Sequence, residues 1–200
     1  MCGKDTVIHK QTFRKCVFLA LIISAFIGGF PLFVLFSDCA WSREQVAVTE
    51  YDVKAAFLLN FVRFVDWSDR MGSDTDKELI LGIAGEDRFG NALNSIRGAN
   101  IKGRTLVIKN AVDSNSLTSC DILFISSSEK ARLPSIMAAL KDLPILTVSE
   151  IEGFAQRGGI INFFIVGNKV RFEINPDAAK HVGIHISSQL LQLARIVTDE

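Results

Sequence analysis

Hydrophobic positions follow three regimes along this chain. The first is a run without any charge, from residue 16 to residue 37, reading CVFLALIISAFIGGFPLFVLF and then Ser37. Lys4, Lys10, Arg14 and Lys15 precede it against the single acid Asp5, and Asp38, Cys39 and Ala40 end it. Basic, apolar and then small-polar is the order of a secretory leader. The basic end stays in the cytoplasm by the positive-inside preference, and the rest of the chain crosses. The run nearly reaches the roughly 20 residues that span a bilayer as a helix, but Gly28, Gly29 and Pro31 interrupt it. Residues 1–40 therefore read as a signal peptide cleaved near Ala40, or as a retained signal anchor. Asp38 argues against Cys39 as a lipidated residue. Residues 41–200 read as a single α/β domain on the far side of the membrane, the periplasm.

The second regime is helical. Val53, Phe57, Phe61 and Phe64 recur at spacings of four, four and three, and Leu58, Val62 and Val65 widen the stripe. A helix is predicted over 49–66, with Thr49 as N-cap and Glu50 and Asp52 in its first turn. The aromatic stripe reads as a packing face. Trp67 closes the segment before a polar loop, 68–77.

The third regime alternates short apolar runs with helical stretches. Strands are predicted at 79–84 (LILGIA), 105–109 (TLVIK), 122–125 (ILFI) and 145–148 (ILTV). Helices are predicted at 88–96, ended by Gly98, at 129–140, and at 150–156, capped by Ser149 and ended at Gly158-Gly159. Pro134 marks either the true start of the second of these helices or a break in it. Continuous apolar strands between helices imply a parallel sheet covered on both faces. Residues 160–166 and 169–174, separated only by Gly167-Asn168, carry a hairpin signal. In 169–174, Val170, Phe172 and Ile174 alternate with Lys169, Arg171 and Glu173, which predicts one buried and one polar face. A turn at Asn175-Pro176-Asp177 leads to a helix ending at Gly183, and 184–186 can add a short strand. A last helix is predicted over 187–197, with Leu190, Leu193, Ala194 and Val197 inward. The fold class is α/β: a mainly parallel sheet flanked by helices, Rossmann-like in layering, with a C-terminal antiparallel hairpin.

Charge narrows the function. Residues 1–40 hold four of the 22 basic and two of the 22 acidic residues, leaving 18 against 20 beyond the leader. No basic excess marks a nucleic-acid partner. Cys2, Cys16 and Cys39 lie in the leader, so Cys120 is the one cysteine beyond it and has no internal disulfide partner.

Candidate chemistry is sparse. The loop 85–90 (GEDRFG) follows a strand, where phosphate loops occur, but it lacks GxGxxG and GxxxxGK[ST] and carries adjacent carboxylates. Ser126 and Ser127 follow a strand too and can hold a small polar ligand there, although no GxSxG elbow surrounds them. His181 and His185 are four apart, but Gly183 between them ends the helix and no third metal ligand follows at motif spacing. No catalytic set, metal site or cofactor is predicted. Arg171, Glu173, Asn175, Asp177, Lys180, His181 and His185 form a dense polar cluster that reads as a recognition surface.

Five blocks, YDVKAAFLLNFVRFVDW (51–67), LILGIAGEDRFG (79–90), CDILFIS (120–126), ILTVSEIEGFAQRGGIINFFI (145–165) and GNKVRFEINPDAAKHVGIHISSQLLQLARIV (167–197), together resemble the YfiR family of periplasmic regulators. The resemblance implies a non-enzymatic repressor of a membrane-bound diguanylate cyclase, with an outer-membrane partner that sequesters it and a dimeric state. It implies partner contact at Glu173 and ligand contact at Asp66 and Trp67. The sequence departs from the family in three respects. Gly82 stands where the disulfide partner of Cys120 would be, and a second cysteine pair is absent around Phe154 and Asn162. Asp66 replaces a basic ligand-contact residue. His185 and Ser187 occupy basic contact positions. The alternative class is a periplasmic small-ligand sensor with no direct cyclase control.

Processing near Ala40 is the expected fate of the leader. N-terminal sequencing of the exported chain checks it: a start near residue 41 marks cleavage, and retention of the leader marks an anchor.

Overall fold

The computed structural model describes residues 48–67, 78–111 and 113–199. The leader reading of 1–40 and the loop expected over 68–77 lie outside the described residues. Val46–Glu200 form a compact unit of their own.

Helix α1 (Glu50–Arg63) starts at the predicted cap. The Thr49 hydroxyl accepts from the Asp52 N–H, and the Asp52 carboxylate accepts from the Thr49 N–H, so two orphan donors of the first turn are satisfied reciprocally. The helix buries Ala55, Leu58, Phe61 and Val62. Phe57 and Phe61 meet Phe163 and Phe172 at ring-centroid distances of 5.0–6.1 Å, so the aromatic stripe packs. The predicted continuation to residue 66 is corrected. Val65–Trp67 form strand β1, pairing antiparallel with β9 (Ile184–Ile186) as Val65 with Ile186, Asp66 with His185 and Trp67 with Ile184. Val65 and Trp67 are buried and Asp66 is exposed, a period of two. Val65 satisfies both periods, which is why helical spacing overran the boundary.

The central sheet is built from β2 (Glu78–Ala84), β3 (Asn100–Ile101), β4 (Arg104–Asn110), β5 (Ile122–Ile125), β6 (Leu146–Ser149), β7 (Ile161–Val166), β8 (Lys169–Ile174) and β10 (Arg195–Ile196), in the order β10-β8-β7-β6-β5-β2-β4-β3. Strands β4, β2, β5, β6 and β7 are mutually parallel neighbours. Strand β8 runs antiparallel to β7 across Gly167-Asn168, and β3 runs antiparallel to β4. The class is therefore mixed α/β around a largely parallel sheet. Successive residues of β5 enter different apolar clusters: Ile122 and Phe124 join the α1 side, Leu123 and Ile125 the side with Leu133, Ile136 and Phe154. Burial on both faces explains the unbroken apolar run.

Several helices are shorter than their patterns. The segment 88–96 holds a 3₁₀ turn over Gly90–Ser95. Helix α2 (Ser114–Thr118) starts at Asp113, whose carboxylate accepts from the Ser116 N–H. Helix α3 (Leu133–Leu140) starts with Pro134 in its first turn, so that proline marks the start. The helix expected at 150–156 reduces to a 3₁₀ turn at Ala155–Arg157. Ser149 belongs to β6, and its hydroxyl donates to the Ile125 carbonyl at 2.8 Å and accepts from the Ile151 N–H at 3.1 Å, a local turn that competes with helix capping. Helix α4 (Pro176–His181) is capped by Asn175. The last predicted helix is corrected most: α5 (Ser188–Leu191) is one turn, and Arg195–Ile196 instead lie parallel to β8. Leu190 is buried, whereas Leu193 is 70% exposed. The open edge of β8 offers backbone pairing that an exposed fourth turn of helix does not.

Gly82 on β2 packs against Cys120, a buried thiol whose Sγ lies 3.1 Å from the Ser116 carbonyl oxygen. A Cβ at position 82 would overlap that sulfur and stand 3.0 Å from Leu123 Cδ1. Gly82→Ala is expected to cost about 1–3 kcal/mol as an overpacked core. Pairing it with Cys120→Ala is expected to return much of that loss, because the coupled residues are not additive. Thermal and urea unfolding of the single and double variants measure both.

A charge-paired cleft at the strand ends

The carboxyl ends of β2, β5 and β6 converge, the region of an open α/β sheet where ligands bind. Strand β2 leaves through Gly85 at φ +87°, where a side chain would also strike Glu129 Cγ at 2.7 Å; only glycine fits this turn. The Glu86 N–H then donates to the Ser128 hydroxyl at 2.9 Å, tying this loop to the one after β5. Ser127 follows β5 and Glu150 follows β6. The first turns of α1 bring Glu50, Tyr51 and Lys54 across them. Strand β7 supplies Asn162, Phe163 and Phe164, and Glu173 of β8 and Arg195 of β10 complete the wall. Together they enclose a cleft of about 720 Å³.

Lys54 is the centre of one half. It is 2% exposed, and its Nζ lies 2.5 Å from both Glu50 Oε1 and Glu150 Oε2 and 4.5 Å from the centre of the Tyr51 ring. A buried ammonium without partners is costly, and here two carboxylates and a ring face compensate it. Glu150 also accepts from the Ser127 hydroxyl at 2.9 Å and the Tyr51 hydroxyl at 3.1 Å, with Arg88 at 4.0 Å. Burial of Glu150 raises its pKa, but the bond and charge of Lys54 and the bonds from Ser127 outweigh it, and the net shift is downward. Burial, reinforced by the Glu150 charge, pushes the Tyr51 hydroxyl up to about 12.

Glu173 is the centre of the other half. Predicted on a polar, solvent-facing row, it is 1% exposed, which corrects that reading. It accepts from Arg195 Nε at 3.0 Å and from a second Arg195 nitrogen, and from Asn162 Nδ2 at 3.1 Å. Arg195 in turn lies 4.2 Å over the Phe164 ring. The cover that Arg195 provides comes from the terminal strand, which a helical reading of 187–197 hides. Asn175 is likewise buried, not surface-facing: its amide donates to Ala155 and Asp199, and its oxygen caps α4 at Ala178 N.

The remaining sequence candidates are placed separately. Arg171, Asp177, His181 and His185 are exposed. His181 sits 2.8 Å from Asp142, and His185 pairs across the β1–β9 ladder with Asp66. Asp66 is ion-paired with Lys102, and Trp67 beside it is buried; neither lines the cleft. Ser126 is fully buried behind the cleft, while Ser127 lines it. Among the described residues no group of three or more His, Cys, Asp or Glu could hold a metal, and no helix is long and apolar enough to cross a membrane. Sequence patterns do not pick out Tyr51, Lys54, Arg88, Glu150, Asn162 or Arg195. Lys54 carries one usable signal: it falls one helical turn before Leu58, on the apolar stripe, where a charge requires a buried partner.

Fold and cleft together define an α/β domain with a charge-paired pocket at its strand ends. The chain matches the family described as YfiR/HmsC-like over residues 51–195, and it belongs to that family. As a family, YfiR-like proteins are regulators rather than enzymes.

Removing Glu150 leaves the buried Lys54 ammonium with one carboxylate, Glu50, in place of two. Glu150→Ala is expected to lower stability by about 3 kcal/mol, read from urea unfolding. Because the folded carboxyl titrates below its ordinary value of 4.5, its contribution is full above that pH and is lost as the pH falls through the folded value. Glu150→Gln is expected to flatten this acid limb when midpoints are compared across pH.

Proposed function

We propose that the chain is an exported, non-enzymatic regulator that binds and represses the periplasmic sensor region of an inner-membrane signalling enzyme, a diguanylate cyclase. The family match over 51–195 carries this reading. In it, release of the regulator raises cyclic di-GMP and promotes adhesion and biofilm. An outer-membrane partner that sequesters the chain, and a homodimer, belong to the same proposal.

The exposed residues Arg171, Asp177, His181 and His185 are the proposed partner contacts. Glu173 and Asn175 act from beneath: they hold β10 and the start of α4, and so set the positions of the residues above them. A switch through internal disulfides has no part in this reading, since Gly82 faces Cys120. A second reading is a periplasmic small-ligand sensor without direct cyclase control. The 720 Å³ cleft with its buried charges favours it, with Ser127 the one predicted ligand residue that lines that cleft.

Deleting the gene is expected to raise cellular cyclic di-GMP and surface adhesion, and wild-type chain supplied in trans to reverse both. Arg171→Glu is expected to fold normally and to restore less than half of the repression. Unchanged cyclic di-GMP in the deletion strain, with and without envelope stress, would count against the cyclase reading and leave the sensor reading standing.

A further inference from the structure

We infer that the cleft at the strand ends binds a short peptide with free termini, of about two to four residues. The charged lining is balanced: Lys54, Arg88, Arg157 and Arg195 against Glu50, Glu150, Glu152 and Glu173. Such a site gains little from a ligand of net charge in either direction, and it accepts one that carries both signs apart. The internal pairs Lys54–Glu150 and Arg195–Glu173 consume the buried charges. Arg88 remains half exposed, its guanidinium 4.0 Å from Glu150. Arg157 is exposed and spends one nitrogen on the Glu152 carbonyl at 2.6 Å. Both keep N–H donors for a carboxylate or for peptide carbonyls.

Two buried acceptors point the same way. Asn162 is 2% exposed and gives its amide nitrogen to Glu173, and its buried Oδ1 has no donor among the described residues; the same holds for Gln156 Oε1. Both residues line the cleft. A buried acceptor left unpaired costs about 1–3 kcal/mol, and a ligand that brings N–H groups into the cleft removes that cost. Carboxamide acceptors beside guanidinium donors match the alternating N–H and C=O groups of a peptide backbone. The rings of Tyr51, Phe163 and Phe164 give apolar walls for its side chains. At about 720 Å³ the cleft is in the range of drug-sized ligands, larger than a single amino acid requires.

This inference does not rest on cyclase control, since it concerns binding to the purified protein. The test is isothermal titration of the purified full-length chain with an Ala-X-Ala tripeptide library bearing free termini. Alongside it run the same library acetylated at the amino end, the library amidated at the carboxyl end, and free alanine. Free tripeptides are expected to bind, with at least tenfold weakening on capping either end and for free alanine. If neither capped library keeps its affinity, a free peptide is the ligand; if only the amino-capped library does, the cleft reads a carboxyl terminus alone, as a partner chain would present, and the two-ended reading is overturned. Arg88→Ala and Gln156→Ala are expected to unfold at the wild-type midpoint and to weaken binding tenfold or more. Absence of tripeptide binding, undiminished binding of either capped library, or undiminished binding to both variants would overturn the inference.

Discussion

Lys54 carries an ammonium group to the inner face of α1, and the contact it makes with Glu150 ties the helix to the end of the central sheet. Charge at such depth is tolerated only where geometry is tight and every remaining lone pair is used. Glu50, the Tyr51 ring face, the Tyr51 hydroxyl and Ser127 supply those uses. The consequence is positional. The start of α1, the exit of β5 and the exit of β6 cannot move independently without stranding a charge. The loop after β2 joins them through the Glu86–Ser128 bond. One ion pair therefore holds together the edges of the cleft that three strands and a helix form.

A second polar row works in the same way at the other wall. Asn162, Glu173 and Arg195 stand side by side on β7, β8 and β10. Glu173 is buried because Arg195 covers it, and Arg195 is fixed by that bond and by the face of Phe164. The short terminal strand is thus anchored by charge as well as by two backbone pairings. Apolar packing then fills the two faces of the sheet: Phe57 and Phe61 against Phe163 and Phe172 on one, Phe154 with Leu123 and Ile125 on the other. The fit is close enough that Gly82 leaves Cys120 no room for a neighbour with a side chain.

For a regulator of the YfiR/HmsC-like family, this arrangement separates two kinds of surface. The cleft has its buried charges Lys54, Glu150 and Glu173 paired internally, with a small number of polar groups left over. The exposed residues of β8, α4 and β9 lie elsewhere and owe their positions to buried neighbours such as Glu173 and Asn175. Phe164 and Arg195 line the cleft, and Phe164 stands opposite Arg171 in the β7–β8 ladder. The cleft and the exposed row of β8 thus share the β7–β8 wall.

The sequence by itself determined what repeats locally. The cap at Thr49, the aromatic stripe of α1, the four parallel strands and the Gly167-Asn168 turn arise from periodicity and from residues whose backbone preferences act within a few positions. Family membership was legible for a related reason, since five ordered blocks span the region that matches. Only the tertiary structure decided the rest. Val65–Trp67 is a strand because β9 lies beside it, and 195–196 is a strand because β8 has an open edge. Glu173 is buried because a residue 22 positions later covers it. The cleft joins Lys54 to Glu150 across 96 positions. Hydrogen bonds and ion pairs between distant segments leave no period in the chain, so they become visible only when the sheet brings their residues together.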